Sequence, residues 1–84
     1  NDEGLKALSA RVVRAAPNYG PALCMRAVVL SGRCGAWVVG PRSAAELKEA
    51  ATHFEGAAAM HPAPAGKAHY AGHAAECRSR AEIM

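Results

Sequence analysis

Aromatic residues are scarce in this 84-residue chain: Phe54, Trp37, Tyr19 and Tyr70 make up 5% of it. β-branched residues are few as well, which argues against a β-sandwich or barrel, whose strands favour both classes. Aspartate occurs once, at Asp2. No apolar run approaches the roughly 18 residues needed for a membrane-spanning helix. The three cysteines, Cys24, Cys34 and Cys77, are an odd number with no C-x-x-C pair. That pattern excludes a disulfide framework and suits the reduced thiols of an intracellular compartment, cytoplasmic or organelle interior. Nothing at the start resembles a signal peptide. The first residue is Asn1 rather than Met, so a piece of a longer protein is expected.

What the chain has in abundance is alanine, 21 positions of 84, within a hydrophobic fraction of 51%. Alanine favours helix but buries little area per contact. A thin all-α core is therefore expected. Ten Lys and Arg against seven Asp and Glu give a net charge of +3. The seven arginines are spread along the chain instead of forming a basic face, so nucleic-acid binding is not expected.

Four helices can be read from the apolar spacing. Leu5, Leu8, Val12 and Ala15/Ala16 recur at three and four over residues 3–16, with Asp2 and Glu3 where the helix dipole favours acids. Pro17 ends this helix. Pro21 suits the first turn of a second, running to Ser31, with Leu23, Ala27 and Leu30 inward, Cys24 and Val28 beside them, and Gly32 and Gly35 at its end. Ser43 and Glu46 form a capping-box pattern opening a third helix over 44–60, whose inward face is Leu47, Ala50, Ala51, Phe54, Ala57 and Ala58. His61-Pro62 closes it. Pro64 starts a fourth over roughly 64–82, for which Ala68, Ala71, Gly72 and Ala75 are expected on one face. Gly56, Gly66 and Gly72 each weaken a helix and so ask for a packing reason. Residues 32–42 form a long loop. Its Trp37-Val38-Val39 run either folds back over the thin core or stands out as a docking plug.

The joint Ala16-Pro17-Asn18-Tyr19-Gly20-Pro21-Ala22 resembles that between successive tetratricopeptide repeats. Ala50, Phe54, Ala57 and Pro62, spaced four, three and five, resemble the family's second-helix signature. The resemblance covers nearly the whole chain: a closing helix, a full repeat and an opening helix. The chain departs from the family in two ways. Pro17 and Pro62 are 45 residues apart, against a period of about 34, the excess being the 32–42 loop. The first-helix aromatic is also replaced by Leu23 and Ala68. An Ala-rich helical bundle of another kind is the alternative. Arg78-x-Arg80-Ala81-Glu82 also resembles the last helix of a microtubule-interacting and trafficking domain.

The resemblance implies antiparallel helix hairpins stacked as a short solenoid, residues 1–84 forming one module. It implies a protein–protein interaction scaffold with a concave groove for a peptide or partner helix, within a larger multi-subunit assembly. A structural subunit whose groove is permanently filled is the alternative. Cys24 and Val28, and from the fourth helix His69, His73 and Cys77, would face the groove, with Trp37 and Val38 as further contact candidates. Solenoid repeats lean on their neighbours, so such a module is expected to need further repeats or a partner.

His69, His73 and Cys77 share a helix face at spacings of four. His69 and Cys77 lie about 12 Å apart along the axis, too far for one tetrahedral zinc, so neither resident metal nor cofactor is expected. No phosphate loop or nucleophile elbow is present. The His73/Cys77 spacing alone makes a weak nucleophile pair, and no enzyme activity is expected.

Overall fold

The computed structural model describes residues 1–33 and 37–84. Among the described residues the chain forms four helices and no strand: α1 (Asp2–Ala15), α2 (Gly20–Ser31), α3 (Ala44–Met60) and α4 (Pro64–Glu82). The expected boundaries are met within a residue, because each end carries its own local signal. The Asn1 side chain accepts the Gly4 N–H at 2.7 Å and caps α1. At α3 the Ser43 hydroxyl accepts the Glu46 N–H at 3.1 Å and the Glu46 carboxylate accepts the Ser43 N–H at 2.9 Å, a complete capping box. Pro21 and Pro64 lie in the first turns of α2 and α4. Gly32 ends α2 in the left-handed region, φ 67°, where a Cβ would be strained. Gly35 and Cys34 lie outside the described residues.

Successive helices run antiparallel. Early α2 lies against late α3, where Gly20 approaches Met60 and Leu23 approaches Gly56, while further along α2 Arg26 reaches back to Glu49. In the same way Lys67 of α4 donates to the Ala58 and Ala59 carbonyls, and Arg78 pairs with Glu55 at 2.7 Å. The molecule is a slab of 32 × 31 × 21 Å, about two helix diameters thick.

The core follows from the alanine content. Ala27, Leu30, Ala50, Ala51, Ala74 and Cys77 surround Phe54, which is 1% exposed and supplies most of the bulk. Small residues on α2, α3 and α4 let the backbones approach, and one large ring fills what remains. Leu47, Leu23 and Val29 extend the core along α2 and α3.

Two faces differ from the sequence expectation. On α4, Ala68, Ala71, Gly72 and Ala75 are exposed, and the inward residues are Ala74, Cys77 and Ala81, with Tyr70 and His73 half-buried beside them. The polar tips of Tyr70 and His73 concealed their role in hydropathy, although their rings bury apolar area against Phe54. On α1 the buried residue is Ser9, at 0% exposure, whereas Leu8 is 40% exposed. The Ser9 hydroxyl donates to the Lys6 carbonyl and accepts from Arg26, whose guanidinium also donates to the Lys6 carbonyl and to Glu49. Arg26 thereby ties α1, α2 and α3 together. Lys6 adds an α1–α3 ion pair to Glu46 at 2.7 Å.

The described part of the long loop is pinned by Asp2. Its carboxylate accepts from the Trp37 indole N–H at 2.7 Å and from the Gly40 N–H at 3.1 Å. It also receives both Arg42 terminal nitrogens, at 2.7 and 2.6 Å. Such a two-pronged charged pair is stronger than a neutral hydrogen bond and fixes geometry. Arg42 is buried, and it donates as well to the Gly40 and Val29 carbonyls. These donors hold the Asp2 carboxyl well below the usual carboxylate range, the Arg42 and Trp37 hydrogen bonds contributing most. Trp37 is thus half-buried and tied to the head of α1, while Val38 is 90% exposed. No helix among the described residues is long and apolar enough to cross a membrane.

Candidate functional site

Helix α2 presents Cys24 and Val28 one turn apart, and α4 presents His69, Tyr70 and His73 across from them. Together with Arg33 and the Phe54 edge they enclose a cleft of about 430 Å³. A larger hollow of about 750 Å³ adjoins it and shares Cys24 and Tyr70. Its walls include Met25 and Pro21 of α2, Ala57 and Met60 of α3, and His61 at the α3–α4 turn. Both hollows follow from the order of the helices: α3 packs against α2 on one side and α4 on the other, and forms the floor between them.

The rings along this face form a connected cluster, stacked at Phe54 and tilted or edge-on around Tyr70. Phe54 lies 5.3 Å from His73 and 6.3 Å from Tyr70, centroid to centroid, with interplanar angles of 29° and 19°. His61 and His69 each lie within 6 Å of Tyr70, at 5.8 and 5.4 Å. Such ring pairs hold one another's rotamers. Met25 and Met60 are the adaptable part of the wall, since unbranched thioethers repack around different shapes.

His69 and His73, one helical turn apart, bring their Nε2 atoms within 3.2 Å. Burial holds the His73 imidazole below its ordinary pKa, with the Arg33 and His69 charges acting in the same direction and Glu76 opposing. Arg33, two residues past the end of α2, is itself paired with Glu76 of α4 at the end of the cleft. Arg80 makes a second link by donating to the Ser31 carbonyl at 3.0 Å. The Cys24 thiol beside the Tyr70 hydroxyl raises the Tyr70 pKa above its ordinary value.

Of the residues singled out by sequence, Cys24, Val28, His69 and His73 meet on this cleft. The other three do not. Cys77 is at 0% exposure in the core, and burial raises its thiol pKa. Cys77 follows His73 by one turn of α4 and packs in the Phe54-centred core instead. Trp37 and Val38 belong to the loop held by Asp2. Sequence reasoning missed Tyr70, Met25, Met60 and His61. Tyr70 was within reach, for it stands three before His73 and seven before Cys77, on the same stripe. Among the described residues no group of three or more His, Cys, Asp or Glu side chains has metal-holding geometry.

No protein-family model, curated protein or solved structure matches this chain.

Proposed function

We propose that the chain is a helical-repeat scaffold of tetratricopeptide type, whose α2/α4 cleft grips a helix or extended segment of a partner protein. The observation that carries this reading is the convergence of Cys24, Val28, His69 and His73, from helices with no direct sequence connection, on one open cleft continuous with a methionine-lined hollow. The occupant has an apolar anchor side chain, because Val28, Met25, Met60 and the Phe54 edge line the walls. It has an acidic or amide group nearby, because the bordering groups are imidazoles and the Arg33 guanidinium. Interfaces draw most of their energy from such anchors in preformed pockets.

The expected test is selection from a displayed peptide library, with Val28→Glu as the counter-target. Val28 is half-buried at the cleft and also packs against the Phe54-centred core, so circular dichroism must first show that the variant, which places a charge against the anchor, keeps its helices. Peptides sharing an apolar anchor that lose binding to Val28→Glu and to His73→Ala support the reading. An absence of enrichment, or binding that survives both substitutions, overturns it.

A further inference from the structure

The His69–His73 pair stands apart from the rest of the cleft wall. Both imidazoles sit mid-helix on α4, one turn apart, with Nε2 atoms 3.2 Å from each other and rings crossing at 85°. Two neutral imidazoles at this distance share a single proton, one ring donating to the other. The same distance is the bite of a chelate. With metal–nitrogen bonds of about 2.0–2.1 Å, two nitrogens on a tetrahedral ion stand roughly 3.3–3.4 Å apart. The observed separation corresponds to an N–metal–N angle of about 100°, between octahedral and tetrahedral values. The broad torsion at the Cβ–Cγ bond of the exposed His69 lets its Nε2 lone pair turn without a change in the helix.

The surroundings suit this reading. His69 is exposed, so an ion has an open approach. His73 is held against Phe54 at 5.3 Å, so one ligand is placed in advance. Imidazole pairs suit zinc, copper and nickel over the oxygen-seeking calcium and magnesium.

We propose that His69 and His73 form a two-ligand chelate for a divalent late transition metal, zinc above all, with the remaining coordination positions directed into the α2/α4 cleft. Those positions take water, or a carboxylate or imidazole entering the cleft.

The test is isothermal titration of zinc chloride into the chelator-treated chain at pH 7.5, followed by nitrogen-15 spectra of the imidazoles. One zinc per chain is expected, with Nε2 of both His69 and His73 shifting. His69→Gln weakens binding by about tenfold or more, since one of two protein ligands is lost. That variant changes an exposed residue and keeps the fold. His53→Gln and His61→Gln retain the wild-type affinity. Unsaturable heat up to millimolar zinc, or an affinity unchanged in His69→Gln, overturns the proposal. Because the ion is titrated without any peptide, failure here leaves the peptide-binding reading standing, and the reverse.

Discussion

Replacing Gly72 by alanine should make this chain more stable, and the size of the gain can be derived from the structure. Gly72 is in the interior of α4, eight residues from its start, and a Cβ built there meets nothing within 4 Å. The substitution therefore acts through backbone entropy alone, worth about 1 kcal/mol in an exposed helix interior. For a domain of this length that corresponds to a rise in Tm of about 4–8 °C. Two other helical glycines, Gly56 and Gly66, provide internal standards. A Cβ at Gly56 would lie 3.0 Å from Leu23 Cδ1, so the same entropic gain is offset by a steric cost. At Gly66 it would fall 2.2 Å from the His61 ring, which must swing away and give up the hydrogen bond it accepts from the Ala63 N–H. The expected order of stability is Gly72→Ala above Gly56→Ala above Gly66→Ala. Urea titrations followed by circular dichroism at 222 nm, at several protein concentrations, measure it. A neutral or destabilising Gly72→Ala would refute the reasoning, since it would mean that this face of α4 is covered in solution.

Removing the ring of Phe54 should cost about 3–5 kcal/mol, enough to unfold much of a small domain whose core is otherwise alanine and leucine; denaturant titration of Phe54→Ala checks this. Asp2→Asn should release the loop, seen as a red shift of the single tryptophan's emission with the helix content largely retained. Acid should act in the same way. The folded Asp2 pKa is depressed, so its contribution is complete above the unfolded value of about 3.9 and fades as pH falls below it. Trp37 emission should therefore hold through the ordinary carboxylate range, about pH 4, and move only at more acid pH, and a shift with its midpoint at about pH 4 would exclude the Asp2 pin.

The helices were legible because their ends are local. Asn1, Ser43 with Glu46, Pro21, Pro64 and Gly32 each satisfy or terminate hydrogen bonds within a turn, so a sequence window of five residues contains the signal. The inner faces of α2 and α3 were legible for a related reason: leucine, phenylalanine and alanine recur at helical spacing with charged residues opposite. The α4 face was not. Its stripe is written in tyrosine, histidine and cysteine, while alanine occurs on both sides, so hydropathy carries no contrast there. The loop anchor was also out of reach. Asp2 looks like an ordinary acid in a first helical turn, and only the tertiary path brings Arg42 and Trp37 to it across some forty residues. Of the cleft, the members one turn apart on a single helix were readable. Those supplied by α3 and the α3–α4 turn, Met60 and His61, depend on how the helices dock.

The Asp2 pin makes distant stretches of backbone share one fate. Because the carboxylate at the head of α1 holds Trp37, Gly40 and Arg42 at once, and Arg42 in turn holds the Val29 carbonyl of α2, fraying at the first turn of α1 unlatches the segment ahead of α3 as well. Amide protons in these two regions should therefore exchange with solvent at a common rate, as a single opening unit, while the Phe54-centred pair α3 and α4 stays protected until global unfolding.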